Sequence, residues 1–140
     1  MFVCDPRLIQ GSFHILNWPL CELRLKDHRD YPWLILIPRV QHAVELFDLS
    51  ESHQSQLMQE MVYAAKTLKL HFGADKMNCG ALGNIVTQLH VHVIARYQGD
   101  AAWPYSVWRP ELTEVTYPPE EAEACITQLR KLLENASFTQ

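Results

Sequence analysis

Apolar and polar residues alternate along the chain between positions 21 and 26, where three apolar residues are interleaved with three charged ones. This two-residue period is typical of a strand with one buried face. A polar turn at 28–30 separates it from the continuous apolar run at 33–37, which Pro38 ends. The pattern therefore predicts a β-hairpin whose second strand is buried.

Two helices are predicted from apolar residues at helical spacing. Asp48 and Glu51 have the spacing of a capping box, which places a helix start there, and Gly73 fits the residue just past the helix end. The predicted buried face of this helix is formed by Leu57, Met58, Met61, Val62, Ala65 and Leu68. A second helix is expected after Pro118 and Pro119. Its predicted face is formed by Ala122, Cys125, Ile126, Leu129 and Leu133.

Two further strands are predicted between the helices, at residues 76–82 and 86–96, with a turn at Gly83 and Asn84. The order is thus a hairpin, a helix, two strands and a final helix, with no repeat or linker to divide the chain. This order predicts one α+β domain over residues 1–140 with a mainly antiparallel sheet.

Composition and charge narrow the class of protein. Apolar residues make up 48% of the chain and charged residues 20%, which is ordinary for a globular protein. A formal net charge of −4 provides no general attraction for a nucleic-acid polymer. The first ten residues lack a signal pattern and no apolar run is long enough to cross a bilayer. We therefore expect a cytoplasmic protein without a membrane partner, whose four scattered cysteines are free thiols.

The candidate catalytic residues occupy alternate positions of the predicted strand at 86–96. Because successive side chains of a strand point to opposite faces, Gln88, His90 and His92 are expected to share one face, about 6–7 Å apart. Three polar groups at this spacing can line a phosphate ester, and a neutral imidazole is an available nucleophile at physiological pH. The motif alone leaves two alternatives open: a solvated strand face, and a metal site for which the sequence provides no third ligand.

The segment resembles the motif of the histidine triad superfamily, in which three histidines alternate with apolar residues. The order of elements over residues 20–96 is similar to that of the family, as are the segments at 36–39 and 44–49. Residues 82–84, Trp103 and Pro104 resemble a bacterial subgroup called histidine triad hydrolases. The resemblance implies a domain with five to six strands, a long central helix and a C-terminal helix, and it implies a homodimer.

The resemblance also implies catalytic roles. His90 matches the nucleophile, which becomes transiently nucleotidylated, and His92 matches the residue that contacts the phosphate and assists at the leaving group. Gln88 stands where the family has its first histidine. A glutamine there can orient His90 or a phosphate oxygen, but it cannot titrate near neutrality. Trp33 stands where well-studied members carry an auxiliary histidine near the phosphate.

Substrate binding is expected from a further set of residues: Asn84, Asn78, Arg96, Asp27, Trp33 and Trp103. Each has an ordinary structural alternative, such as a turn residue for Asn84, an exposed carboxylate for Asp27 or a surface arginine for Arg96. Trp103 can equally be a core or interface residue. The five histidines outside the motif are expected at the surface: His14, His28, His42, His53 and His71.

The function implied is a hydrolase or transferase acting at the α-phosphate of a nucleotide phosphoramidate or phosphoanhydride through a nucleotidyl-His90 intermediate. Its expected partner is a small nucleotide or nucleotide-like phosphate, and no cofactor or metal is required by this chemistry. The alternative is a nucleotide-binding or regulatory protein in which the incomplete triad has reduced or lost turnover.

Overall fold

One antiparallel sheet forms the centre of the computed structural model, which describes residues 1–138. Its five strands lie in the order β1-β2-β3-β5-β4. The strands are β1 (Ser12–Asn17), β2 (Cys21–Lys26), β3 (Trp33–Pro38), β4 (Lys76–Gly80) and β5 (Val91–Arg96). The predicted hairpin is formed by β2 and β3, so the α+β class and the antiparallel sheet are confirmed.

Within residues 1–138, three helices accompany the sheet: α1 (Pro6–Gln10), α2 (Glu51–Phe72) and α3 (Pro119–Leu133). The two longer ones are the predicted helices. Gly73 ends α2 with a φ of 63°, in the left-handed region that favours glycine. Among the helices of residues 1–138, none combines the length and the apolar character needed to cross a membrane.

The start of α2 differs from the prediction. Ser50, not Asp48, is the N-cap, since its hydroxyl accepts a hydrogen bond from the backbone N–H of His53. Asp48 instead accepts from the backbone N–H groups of Val44 and Glu45, and so closes a short 3-10 turn that precedes the helix. The predicted cap was wrong because the carboxylate of Asp48 points back along the chain.

Two elements near the N-terminus, strand β1 and helix α1, were not predicted from the sequence. The pairing of β1 with β2 shifts register between His14 and Leu16, and this irregularity interrupts the two-residue period of β1. Helix α1 is five residues long, which is too short to display a helical period.

The two strands predicted at 76–82 and 86–96 are shorter than expected, since β4 ends at Gly80 and β5 begins only at Val91. The backbone N–H of Leu89 donates to the carbonyl of Ala43 instead of joining the sheet. The first histidine of the motif therefore lies just ahead of β5.

The main apolar core lies between the sheet and the two long helices. It includes Leu23, Leu34, Leu36, Val91 and Val93 from the strands, Leu57, Ala64 and Leu68 from α2, and Leu129 and Leu133 from α3. The predicted face of α3 is confirmed. The predicted face of α2 was partly wrong, because Met58 and Val62 are exposed while Glu60 and Ala64 are buried.

A second apolar cluster covers the opposite face of the sheet. It includes Trp33, Ile35, Ile37 and Ile94 from the strands, and Leu8, Tyr31, Ala102 and Val107 from the covering segments. Strand β3 is consequently buried along its whole length. This explains why its sequence is continuously apolar instead of alternating.

Glu60 is a fully buried carboxylate on α2. It accepts hydrogen bonds from the backbone N–H groups of Leu20, at 3.0 Å, and Cys21, at 2.9 Å. The side-chain amide of Gln56 donates to the same carboxylate at 2.8 Å. The charge thus satisfies the backbone donors at the start of β2 and fixes the helix to the sheet.

Replacing Glu60 with alanine should remove the acceptor for two buried backbone N–H groups. A lost hydrogen bond to a charged group costs about 1.5–3 kcal/mol, so the free energy of unfolding in urea should fall by about 3 kcal/mol or more. Glu123→Ala, at an exposed position of α3, should change it by less than about 0.5 kcal/mol. Equal effects of the two substitutions would contradict this role of Glu60.

Candidate active site

His90 and His92 lie on the sheet face opposite the long helices, at the beginning of β5. The pairing of β3 with β5 sets Ile35 opposite His92 and Trp33 opposite Ile94. The neighbouring residues Val91 and Val93 point into the main core. The two imidazole rings meet edge to face with their centroids 5.0 Å apart. The alternate spacing in the sequence thus brings both histidines together on one face.

The ring of His90 is held through its Nδ1 atom, which lies 2.7 Å from the backbone carbonyl oxygen of Gln88. Because a carbonyl oxygen can only accept a hydrogen bond, Nδ1 must carry the proton. In the neutral ring the lone pair is therefore on Nε2. His90 is only 7% exposed, so this arrangement is set by the protein and not by solvent.

The ring of His92 has the opposite arrangement. The indole N–H of Trp33 donates to Nδ1 of His92 at 2.9 Å. An indole nitrogen can only donate, so Nδ1 is unprotonated and the neutral ring carries its proton on Nε2. Burial, followed by the proximity of His90 and of the Lys26 ammonium group, lowers the pKa of His92 to about 3. His92 is thus a neutral hydrogen-bond donor at physiological pH.

Aromatic rings enclose His92 on two sides. Trp33 and Trp108 both contact it edge to face, with ring centroids 5.5 Å and 5.4 Å from the imidazole. Gly80 on β4 allows Trp108 to approach, because a Cβ atom at this position would lie 3.3 Å from the indole. His28 stacks on Trp33 at 5.9 Å and is buried, and burial lowers its pKa. The expectation that His28 lies at the surface was wrong.

The side chain of Gln88 points away from the histidines. Its Oε1 accepts from the backbone N–H of Asp5 at 2.8 Å, and its Nε2 donates to the carbonyl of Val3 at 2.9 Å. The guanidinium of Arg7 adds a hydrogen bond to the carbonyl of Ile85 at 3.3 Å. The expectation that the Gln88 side chain orients His90 is corrected, since its backbone carbonyl orients the ring while its amide binds residues 3–5.

Three of the expected substrate-binding residues, Arg96, Asn78 and Trp103, belong to an internal network. Arg96 is 1% exposed and forms a 2.8 Å ion pair with Asp100. It also donates to the side-chain oxygen of Asn78 at 2.8 Å, and Trp103 lies against its guanidinium at 5.7 Å. The expectation that Arg96, Asn78 and Trp103 bind substrate is therefore corrected. They hold the segment after β5 against the sheet.

Asp27 is likewise committed elsewhere, because its carboxylate accepts from the backbone N–H of Tyr117 at 2.9 Å. It ties the end of β2 to the segment that leads into α3. Asn84 is exposed in the loop between β4 and β5, in agreement with its predicted turn position.

Three features of the site escaped the sequence analysis: the binding of residues 3–5 by Gln88, the contact of Trp108 with His92, and the burial of His28. None of them follows a local period, and the contacts of Gln88 and Trp108 join separate segments of the chain. All four cysteines are free thiols, as predicted. Within residues 1–138, no group of three or more histidine, cysteine, aspartate and glutamate side chains is placed to hold a metal ion.

A HIT domain model matches residues 10–99. Among solved structures, a histidine triad protein from Bradyrhizobium japonicum is 40% identical, with a TM-score of 0.90 over 94% of this chain and 98% of that one. A histidine triad protein from Sinorhizobium meliloti is 41% identical, with a TM-score of 0.89 over 96% and 97%. One from Marinobacter aquaeolei is 38% identical, with a TM-score of 0.93 over 98% and 99%.

The chain therefore belongs to the histidine triad (HIT) family, as its motif predicts. Members of this family are generally nucleotide-binding hydrolases or transferases. No match was found among the curated proteins.

The depressed pKa of His92 predicts how stability depends on pH. Since its pKa is about 3 in the folded protein against an ordinary 6.5, the unfolded chain binds more protons between these values. The stabilisation is complete above about pH 6.5 and is lost as the pH falls towards 3. Between about pH 6 and 4, the free energy of unfolding should therefore fall more steeply in the wild type than in His92→Gln. The two slopes should differ by up to about 1.4 kcal/mol per pH unit. The measurement is a urea unfolding series at each pH for both proteins. Equal pH dependence of the free energy of unfolding in the wild type and in His92→Gln would refute the assignment.

Proposed function

We propose that the protein is a nucleotidyl hydrolase or transferase that acts at the α-phosphate of a nucleotide phosphoramidate or phosphoanhydride. His90 is the nucleophile and forms a covalent nucleotidyl intermediate. The observation that supports this most strongly is the 2.7 Å contact of His90 Nδ1 with the carbonyl of Gln88. It leaves the lone pair on Nε2, which is the atom required to attack phosphorus.

In the first step, Nε2 of His90 forms a bond to the α-phosphorus while the bond from phosphorus to the leaving nitrogen or oxygen breaks. The leaving group departs with the electron pair and takes up a proton from solvent when its basicity requires one. In the second step, water attacks the phosphorus and the bond to His90 breaks. The products are a nucleoside monophosphate and neutral His90, and the surplus proton of the water passes to solvent.

His92 acts in this scheme as a hydrogen-bond donor that keeps its proton. Its low pKa keeps the ring neutral, and the hydrogen bond from Trp33 leaves Nε2–H to face the substrate. A donor fixed beside the reacting phosphoryl group stabilises the charge that develops on its oxygens without reorganisation.

Positive charge for the phosphate comes from Lys26. Its ammonium group lies 5.9 Å from the centre of the Trp33 ring and acts on the pKa of His92. Lys26 is also paired, with Glu114 at 3.3 Å, but this ion pair is partly exposed. Arg96, by contrast, is unavailable because its ion pair with Asp100 is buried. We assign Asn84, exposed in the loop ahead of the motif, as a further phosphate or ribose contact.

A covalent adduct provides the direct test of this function. After incubation with an adenosine phosphoramidate and rapid acid quench, mass spectrometry should detect an adenylyl group on the wild-type protein. His90→Asn should form no adduct and lose more than about 10³-fold in turnover, because it lacks the nucleophile. His53→Asn, at an exposed position of α2, should behave as the wild type.

Nucleotide binding should remain measurable in His90→Asn, since the amide replaces the imidazole with little change in size. An adduct that persists in His90→Asn and disappears in His92→Asn would move the nucleophile to position 92. Wild-type protein that binds the nucleotide but forms no adduct and no product would instead support the alternative of a binding protein without turnover.

We also propose that the protein is a homodimer formed through β4 and α2. Strand β4 lies at one edge of the sheet, where its outer backbone groups can pair with another strand. Helix α2 packs over β4 and β5, and its side chains Met58 and Val62 are 58% and 57% exposed. Exposed apolar side chains beside an open strand edge are typical of a protein interface. A second copy covers both features at once by two-fold symmetry.

Light scattering tests the dimer. The wild-type protein at micromolar concentration should have about twice the chain mass of 16.2 kDa. Val62→Glu should reduce this towards the monomer, because it places a charge in the proposed apolar interface. Leu70→Glu, which alters an exposed apolar residue on another face of α2, should leave the mass unchanged. A wild-type monomer, or equal effects of the two substitutions, would refute this interface.

A further inference from the structure

Trp33 and Trp108 contact His92 in nearly the same way, but only one of them donates a hydrogen bond. Both rings meet the imidazole edge to face at about the same centroid distance, 5.5 Å and 5.4 Å. The N–H of Trp33 lies 2.9 Å from Nδ1 of His92, whereas the buried N–H of Trp108 has no hydrogen-bond partner among residues 1–138. The two indoles therefore differ in their polar contact with His92 more than in their packing.

The position of Trp33 is fixed from several directions. It lies on the central strand β3, paired with Ile94 of β5, and belongs to the second apolar cluster. His28 stacks on one side of its ring. With this little freedom, the indole N–H presents a donor to His92 at a constant place.

We propose that Trp33 is a positioning residue, which fixes His92 in the tautomer that carries its proton on Nε2. For its effect on catalysis, this inference rests on the proposed function. The tautomer itself is a property of the free protein and can be measured without a substrate.

The physical reason is that an indole nitrogen can donate but cannot accept. If His92 carried its proton on Nδ1, two N–H groups would face each other at 2.9 Å, and both would lose their partner. The lone pair of Nε2 would then face the anionic phosphate oxygens and repel them. A histidine at position 33 can donate or accept and would accommodate either tautomer, whereas tryptophan allows only one.

The charges around His92 favour the same state. The groups that face it are His90 from its own segment, Lys26 from β2, and the uncharged rings of Trp33 and Trp108. Since none of these four groups is an anion, none of them stabilises a second proton on the ring. The neutral ring with a single N–H on Nε2 is therefore the state that agrees with the contacts of His92.

Nuclear magnetic resonance of protein labelled with ¹⁵N-histidine tests the tautomer directly. In the wild type at neutral pH, Nδ1 of His92 should resonate as an unprotonated, pyridine-type nitrogen and Nε2 as a protonated, pyrrole-type nitrogen. In Trp33→Phe the two signals should move towards each other, because both tautomers become populated. Trp108→Phe should leave the wild-type pattern, since the N–H that it removes has no partner. Wild-type Nδ1 that is protonated would overturn the inference.

A closer analogue of tryptophan distinguishes the loss of the N–H group from a folding defect in Trp33→Phe. Incorporating 3-benzothienylalanine at position 33 replaces the indole N–H with sulfur and keeps the bicyclic shape. It should reproduce the mixed tautomers of Trp33→Phe while retaining the wild-type melting temperature within a few degrees. A wild-type tautomer pattern in this analogue would overturn the inference, because shape alone would then suffice.

The kinetic consequence is a fall in kcat of about 3- to 10-fold in both position-33 variants, as expected for one lost hydrogen bond, with KM little changed. Trp108→Phe should stay within about 2-fold of wild type. The two proposals fail separately. Wild-type protein without adduct or turnover refutes the proposed function and leaves the tautomer measurement standing, whereas a full kcat in variants with mixed tautomers refutes the positioning role alone.

Discussion

The register between β3 and β5 is the constraint on which the rest of the structure depends. It sets Ile35 opposite His92 and Trp33 opposite Ile94, and sends Val91 and Val93 to the helices. Because side chains alternate along a strand, a slip of one residue would exchange the two faces. The imidazoles would then enter the main core and the valines would lose it. Apolar burial therefore enforces the position of the two histidines.

One backbone partner and one side-chain partner give the two histidines complementary chemistry. The carbonyl of Gln88 can only accept, so it places the proton of His90 on Nδ1 and the lone pair on Nε2. The indole of Trp33 can only donate, so it places the lone pair of His92 on Nδ1 and the proton on Nε2. Two identical side chains, 5.0 Å apart, thus present one basic and one donating nitrogen. The difference between their tautomers follows from these two hydrogen-bond partners.

Local periodicity predicted the parts of the fold that are locally determined. The hairpin β2–β3 and the helices α2 and α3 follow directly from their apolar spacing. Strand β1 was missed because its register shift hides the period, and the start of β5 was misplaced because the backbone of Leu89 binds Ala43. A local pattern carries no information about such a distant partner.

The same limit applies to the candidate site. Alternate spacing brought His90 and His92 to one face, but the side chain of Gln88 was assigned to the wrong neighbour. Its true partners are 83 and 85 positions away in the chain. Asp27 binds the backbone of a residue 90 positions away, and Arg96 is neutralised by Asp100 in an irregular segment. Assigning such polar side chains requires knowing which segments cover the sheet.

The tryptophans have an optical consequence. Three of the four, Trp33, Trp103 and Trp108, lie at the histidines or on Arg96 of the same strand. The fourth, Trp18, packs against Tyr63 and Phe138 within the main core. Excitation at the red edge, where tyrosines contribute nothing and only indole absorbs, therefore includes the emission of Trp33 and Trp108 beside the histidines. A change at His90 and His92 can therefore be followed by tryptophan fluorescence without an added label.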